Sequence, residues 1–599
     1  MTTMTAAPSA SRKRIPGGSF LISDATAADC FFPEDFTDEH MQIAQTTVEF
    51  ALNEVVPQSE AIEAKDFAVT RRLMKEAGDL GLLSVDIPEE YGGMEMDKVT
   101  SAIVAEGIAR QGSFCVAFSA HSGIGTLPIV WYGTPEQKQK YLPKLGSGEW
   151  IGAYALSEST SGSDALNART RAVLSADGTT YTLNGEKMWI TNGGIADLYT
   201  VFAKCAVPGT TEEKLTAFLI ERGTPGFTVG AEEHKLGIRG SSTTPLILAD
   251  CKVPAANLLG EVGKGHHIAF NVLNIGRYKL GATALGAARM ALGHGIRYSI
   301  ERKAFGKSIC EFGLIQEKIA ESAAAVFAGE ALIYRTIGMI DDALADVDKN
   351  ATGEIQKRIE DYAVECSIVK VWASEMLDMI VDHVVQIFAG YGYVEEYPAE
   401  RHYRDSRINR IFEGTNEINR LIITGWMMKS AMSGKLALMP AIKALMDEVM
   451  AGPVAKEERE GALAAEFDML ANAKKLTLFA AGAATQKYMT KLADEQEVMG
   501  ALADMIIEVF TMESALLRAE KMGAAERSMP VVLARLYAAK AMDIVELAAR
   551  KVMGAVAEGD MLRTQTAIVR RLAKHDPADT VSLGREAARQ MVKAGKYSI

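Results

Sequence analysis

The stretch Arg407-Ile-Asn-Arg-Ile-Phe-Glu-Gly-Thr-Asn-Glu-Ile-Asn-Arg420 places one carboxylate, Glu413, between an aromatic residue, Phe412, and the flexible pair Gly414-Thr415. A carboxylate in that setting has little water and little charge compensation nearby, so desolvation raises its pKa toward neutrality once a substrate covers it. Basicity of that kind suits proton abstraction from carbon. The plainer reading is a glutamate that caps a helix starting at Thr415. The surrounding chain has to decide between them.

The 599 residues are 48% hydrophobic, 24% charged and 7% aromatic, the composition of a globular protein with several cores. At about 100–200 residues per domain, roughly three to five units are expected. A net charge of -13 argues against a nucleic-acid partner and against an anionic membrane surface. The six cysteines, Cys30, Cys115, Cys205, Cys251, Cys310 and Cys366, show no Cys-x-x-Cys spacing. A reducing compartment is therefore expected: the cytoplasm, or the mitochondrial matrix for a eukaryotic source. No His-Glu-x-x-His occurs, and no metal is expected. No uninterrupted apolar run reaches the roughly 20 residues of a bilayer span. The clustered Arg12-Lys13-Arg14 reads as part of a disordered arm rather than a transit helix.

Beyond residues 1–36, the arm, a helical period sets in. Met41, Ala44, Val48, Ala51 and Val55 step by three and four as one buried face, with Thr37-Asp38 capping the start. Residues 37–150 form an all-helical unit. Across 151–260 the pattern turns to β-branched runs such as Leu198-Tyr-Thr-Val-Phe-Ala and Leu215-Thr-Ala-Phe-Leu-Ile, with Asn184-Gly185 and Asn192-Gly193-Gly194 as turns. No helical crossover separates these runs, so an antiparallel β domain is expected. The helical period returns over 261–432 as an antiparallel bundle, with long segments near 266–303, 315–345 and 353–389. A further helical unit, 433–599, is rich in Ala, Met and Leu, its methionines read as packed core, with a charged break at 452–461 that contains Glu457, Glu458 and Glu460.

The usual nucleotide motifs are missing. Gly260-Glu-Val-Gly-Lys-Gly lacks the ending of a P-loop, Gly390-Tyr-Gly392 has no third glycine, and there is no Gly-x-Ser-x-Gly elbow. Two clusters remain: Tyr154-Ala-Leu-Ser-Glu-Ser-Thr-Ser-Gly-Ser-Asp164, whose hydroxyls and amides suit a polar heterocycle or a phosphate, and Gln386-Ile-Phe-Ala-Gly-Tyr-Gly392, a glycine turn leading toward Glu413.

In this order, around a β domain between two helical ones, the clusters resemble the two signatures of the acyl-CoA dehydrogenase family of flavoproteins. The resemblance covers roughly residues 38–430. With Asn274-Ile-Gly-Arg277, Phe305-Gly-Lys and Phe312-Gly-Leu-Ile-Gln-Glu-Lys318, the long C-terminal region looks like the very-long-chain branch. Ala389 stands where glycine is usual, and Phe412 where tyrosine is often found.

The resemblance implies a mainly α fold with an inserted antiparallel β domain, bound FAD, and oxidation of a long-chain fatty acyl-CoA to its trans-2-enoyl-CoA. Glu413 would be the base, because the alternative position used by some relatives is Gly276 here. Tyr154, Leu156, Ser157, Ser163, Trp189, Ile190 and Thr191 would line the flavin. Ser163, Asn274, Arg277, Phe412 and Gly414 would face the substrate. Arg302, Phe305, Gln386 and Gly390 would reach the FAD of a neighbouring subunit, with Thr415 and Glu417 completing the nucleotide pocket, so at least a homodimer is implied. Electron-transfer flavoprotein is the expected acceptor, and membrane contact is at most peripheral. The competing readings are an acyl-CoA oxidase and a non-catalytic acyl-CoA-binding assembly protein.

Overall fold

The computed structural model describes residues 12–349, 351–451 and 459–599. Helix α1 (Asp38–Phe50) starts where the cap predicts: Thr37 Oγ1 accepts from the His40 amide at 3.2 Å. Of the expected face, Ala51 and Val55 just beyond its end are buried and Ala44 and Val48 are half-buried, but Met41 is not inward and the most buried positions lie one residue earlier. His40, Thr47 and Phe50 point inward, while Met41 is 57% exposed. The reason lies in α2 (Lys98–Ile108): Asp97 at its start pairs with His40 at 3.1 Å, and the missing side chain of Gly107 makes room for Thr47, which a Cβ there would meet at 2.7 Å.

The strands are β1 (Gly152–Ala155), β2 (Arg171–Leu174), β3 (Thr180–Thr191), β4 (Leu198–Ala206), β5 (Glu213–Glu221), β6 (Phe227–Val229), β7 (Thr243–Pro254) and β8 (Leu258–Leu259). They form one sheet in the order β6-β7-β3-β2-β4-β5-β8, with β1 added beside β4. Most pairs are antiparallel, but β1 and β2 both run parallel to β4. Intervening strands, rather than a helix, supply the long return connection that a parallel pair needs. Asn184-Gly185 is not a turn. It lies inside β3 as a bulge opposite β7, with Gly185 at φ 150° and the Asn184 side chain bonded to Asp250.

The third unit is built on α3 (Gly265–Glu301), α4 (Gly313–Leu344) and α5 (Ala363–Phe388), followed by α6 (Asn416–Met432). Helices α3 and α5 pack along each other. The C-terminal region adds α7 (Ala464–Tyr488), α8 (Gln496–Lys521), α9 (Met529–Val556) and α10 (Thr580–Ala594). Helix α4 touches α3, α5, α8, α9 and α10, so apolar residues are required all round it. It and the stretch Gly112–Tyr132 are long and apolar enough to cross a membrane, contrary to the sequence expectation, yet the apolar window of α4 is wholly buried inside the protein. Of the methionines read as core in 433–599, Met499, Met505, Met512, Met542 and Met553 are buried, whereas Met439, Met446, Met489 and Met561 are exposed. All six cysteines are free and buried.

Residues 12–36 are not a disordered arm. Phe20, Leu21, Phe31 and Phe32 are buried, and Gly18 N donates to Glu365 Oε1 at 2.6 Å. Asp24 meets Lys474 at 2.9 Å, Glu34 meets Arg518 at 2.8 Å, and Asp35 meets Lys521 at 2.5 Å. Three acids near the N-terminus thus match three cations more than 400 residues away, a pairing invisible to local spacing. The charged break at 452–461 falls mostly outside the described residues.

Candidate active site

Glu413 follows the short turn Arg407–Arg410 and precedes α6. Its φ is 58° and that of Gly414 is 81°, two successive left-handed residues. For a non-glycine residue this conformation costs on the order of 1–2 kcal/mol, so neighbouring contacts must hold it. Asn419 Nδ2 donates to the Gly414 carbonyl at 2.8 Å and to that of Thr415 at 3.1 Å. Thr415 Oγ1 caps α6 by accepting from the Ile418 amide at 3.3 Å. Asn416 is tied to α5: Lys370 Nζ donates to its Oδ1 at 2.6 Å, and its Nδ2 donates to Ser374 Oγ at 3.0 Å and to Glu375 Oε1 at 2.9 Å. The cap of α6 is therefore Thr415, and the Glu413 side chain makes no capping bond.

These grips aim the carboxylate at α3. A Cβ at Gly276 would come within 2.6 Å of Glu413 Oε2, so the absence of a side chain there makes the space. Glu413 as a whole residue is half-buried, but Oε2 is enclosed and has no hydrogen-bond partner. Loss of hydration pushes its pKa up to about 7, against the opposing pull of Arg277 and Lys370. Asn274 and Arg277, expected to face the CoA portion, are themselves buried. Arg277 Nη1 donates to Asn274 Oδ1 at 2.8 Å, and its Nε lies 3.4 Å from the Glu413 carbonyl. Burial, and then the Glu413 charge, push the Tyr154 phenol well above its ordinary range, so it stays neutral beside Glu413. Phe412, on the near side of Glu413, is half-buried.

The Ser/Gly cluster is anchored from beneath. Buried Lys187 donates to Glu158 Oε1 at 2.7 Å and to the Leu156 carbonyl at 3.1 Å, while Met188 N donates to the Ser157 carbonyl at 3.0 Å. Immediately beyond, β3 bulges against β7 between Lys187 and Ile190, and Trp189 takes φ 59°. The indole is consequently 57% exposed, not a strand core residue, while Ile190 beside it is buried. Leu156 is buried, Ser157 and Thr191 are half-buried, and Ser163 is exposed. An indole turned outward at a backbone cost, next to accessible hydroxyls, fits the face of a flat, polar heterocycle such as the FAD ring.

Arg302, Phe305, Gln386 and Gly390 do not join this site. All four are exposed, Phe305 to 95%. Arg302 and Phe305 follow the end of α3, and the rise along that helix from Gly276 to Arg302 is about 39 Å. Glu417 is exposed on the first turn of α6. A cavity of about 760 Å³ lies away from Glu413, between α4, α5, α8, α9 and α10.

Sequence reasoning missed Lys370, Asn416 and Asn419, and it treated Gly276 only as a position without a carboxylate. A lysine inside the apolar run Ser367-Ile-Val-Lys-Val-Trp-Ala373 was the available signal for the first.

Comparison with known proteins agrees with this architecture. Models of the acyl-CoA dehydrogenase N-terminal, middle and C-terminal domains match residues 37–149, 153–251 and 263–428, and a further model described as an acyl-CoA dehydrogenase C-terminal domain matches 472–571. A probable acyl-CoA dehydrogenase of Bacillus subtilis is 47% identical over 97% of this chain and 98% of its own length. The human very long-chain specific mitochondrial enzyme is 40% identical over 58% of this chain and 51% of its own. The crystal structure of an acyl-CoA dehydrogenase complexed with FAD from Bacillus anthracis superposes with a TM-score of 0.94 at 46% identity, covering 98% of this chain and all of that one. With these domain matches over most of its length and a fold shared end to end with such a relative, the chain belongs to the acyl-CoA dehydrogenase family, as an FAD-dependent oxidoreductase of fatty acyl-CoA thioesters.

Proposed function

We propose that the enzyme converts long-chain fatty acyl-CoA to trans-2-enoyl-CoA in fatty-acid β-oxidation, with Glu413 as the base and electron-transfer flavoprotein as the acceptor. The observation that carries the mechanism is the enclosed Glu413 Oε2, unpartnered above Gly276. A carboxylate held there near neutrality is basic enough to take the α-proton and is kept from solvent. Glu413 becomes protonated as the α C–H electron pair forms the new double bond. Bound FAD supplies the two-electron acceptor for the β-hydrogen, which leaves as hydride. The Glu413 backbone N–H is proposed to donate to the thioester oxygen as negative charge develops there.

Tyr154, Leu156, Ser157, Ser163, Trp189, Ile190 and Thr191 would hold the flavin, with Thr415 and Glu417 toward its nucleotide end. Arg302, Phe305, Gln386 and Gly390 are too far along α3 and α5 to serve the same chain's base, so a second copy would present them, which makes the working unit a homodimer. Asn274 would orient Arg277 toward the CoA side. Long-chain preference rests on the resemblance to the very-long-chain branch. Its test is kcat/KM for butyryl-, octanoyl- and palmitoyl-CoA with electron-transfer flavoprotein as acceptor. Palmitoyl-CoA should exceed butyryl-CoA by about tenfold or more, each added methylene being worth on the order of 1 kcal/mol in a fitted pocket. Equal or faster turnover of butyryl-CoA would overturn the preference.

A further inference from the structure

The cavity between α4, α5, α8, α9 and α10 has no part in the reaction described above. Its volume of about 760 Å³ is far above that of a packing void, which seldom exceeds a water molecule, and falls in the range of small-molecule sites, about 300–1,000 Å³. Small side chains keep it open: Ala320 and Ala324 lie one turn apart on α4, and Gly584 of α10 faces Ala320. Trp372 and Met376 of α5 and Leu536 of α9 make an apolar wall. At the rim, Leu314 is 75% and Val581 61% exposed. An apolar body thus has both an entrance and a seat.

A chain of polar groups ends on the same wall. Trp372 Nε1 donates to Tyr537 Oη at 2.8 Å, and Tyr537 Oη donates to Glu508 Oε2 at 2.6 Å, so the Tyr537 hydroxyl is used in both directions. Glu508, on α8, receives this one hydrogen bond and joins no ion pair among the described residues. Glu375, the other acid of the inner wall, is committed to Arg420 at 2.8 and 2.9 Å and to Asn416 at 2.9 Å. Lys540 is exposed, and its Nζ meets only the Met379 sulfur, at 3.3 Å. Loss of hydration pushes the Glu508 carboxyl up to about 7, the mark of an acid that lacks a cation. The rim carries Glu317, Glu321 and Asp543 against Lys540 and Arg585, so negative charge prevails around it as well.

We propose that this cavity is a second ligand site, built for an organic ammonium ion with a long apolar body. The ammonium donates to the Glu508 oxygen that Tyr537 leaves free, and the body lies against Trp372, Met376 and Leu536. The Trp372 and Tyr537 rings, edge to face at 5.8 Å, add π surface that attracts an organic cation. A fatty carboxylate of the same shape would set like charge against Glu508 and is disfavoured.

Isothermal titration of the FAD-loaded enzyme with dodecylammonium chloride, kept below its micelle concentration, and with sodium dodecanoate tests this. The parent should bind one dodecylammonium per chain in a component that Ala324→Phe, which fills the cavity, removes. Glu508→Gln should weaken that component by about tenfold or more, because it takes away the charge and leaves the shape. Dodecanoate should show no component that depends on Ala324. Absence of saturable dodecylammonium binding would overturn the proposal, as would binding that Glu508→Gln leaves unchanged. A dodecanoate component lost in Ala324→Phe would make the cavity a site for fatty anions and equally overturn it. Glu413→Gln should bind dodecylammonium as the parent does; loss of binding there would place the ammonium at Glu413 instead. Should Ala324→Phe fail to hold FAD, Ala539→Trp fills the same space from a half-buried position on α9.

Discussion

Gly276 forms the floor beneath the Glu413 carboxylate, with room for no Cβ: one placed there would sit 2.6 Å from Oε2 and 2.9 Å from the carboxyl carbon. Alanine in a helix interior otherwise gains about 1 kcal/mol over glycine. Gly276→Ala should therefore keep or raise the Tm while displacing the base, lowering kcat/KM by about tenfold through misplacement of the reacting group. Thermal unfolding and steady-state kinetics on the same preparation check both halves. An unaltered kcat/KM would show that the carboxylate can shift without consequence.

Trp189 is exposed and held at φ 59° by the bulge in β3, so it contributes little to the fold and its place must be set by what it contacts. Trp189→Ala should change the stability of the apoprotein by no more than about 0.5 kcal/mol. FAD affinity should weaken by about tenfold, the worth of roughly one aromatic contact. Titration of apoprotein with FAD, followed by fluorescence, gives the answer. Equal affinity in both proteins would remove Trp189 from the cofactor face.

Asp86 is the anionic centre of the interface between the first helical unit and α3. It meets Lys279 and Lys98 at 2.7 Å each and accepts from Ser101 Oγ at 2.6 Å. Burial opposes its ionisation, but the Lys279 and Lys98 ammoniums overcome this and hold its pKa well below the usual carboxylate range. Asp86→Asn strands two buried ammoniums and should cost about 3–5 kcal/mol at pH 7. Because the folded pKa is depressed, this contribution is present above the unfolded value of about 4 and is lost as pH falls through the folded one. Denaturant unfolding at pH 7 should show the full difference between parent and variant, and the gap should narrow below about pH 4. A parent and variant of equal stability at pH 7 would contradict the account.

What could be read from the sequence was what depends on near neighbours. The Thr37 cap, the helical periods of α3 to α5, the strands around Leu198 and Leu215, and Glu413 between Phe412 and Gly414 all follow from residues within one or two turns. What failed depends on partners far along the chain. Asn184-Gly185 has turn chemistry, yet pairing with β7 absorbs it as a bulge. Met41 has the right spacing to be buried, but the His40 pairing with Asp97 rotates α1 away from it. The N-terminal acids find their cations on α7 and α8, and Lys370 meets Asn416 only when α5 packs beside the start of α6. Ala389 shows the reverse case. It stands at φ 54°, ψ -131°, a conformation suited to glycine, so the departure noted in sequence is a strained residue in the fold.

The pKa of about 7 for Glu413 arises from lost hydration, so the deprotonated base prevails only above that pH. kcat/KM in the parent should rise with pH through about 7 and level off above it, since the reaction needs the carboxylate form. Glu413 as the base is tested by anaerobic titration of the holoenzyme with palmitoyl-CoA at pH 8, followed by flavin absorbance, in the parent and in Glu413→Gln. Rapid bleaching is expected in the parent and none in the variant with FAD still bound. Equal bleaching in the two proteins would show that another residue takes the α-proton.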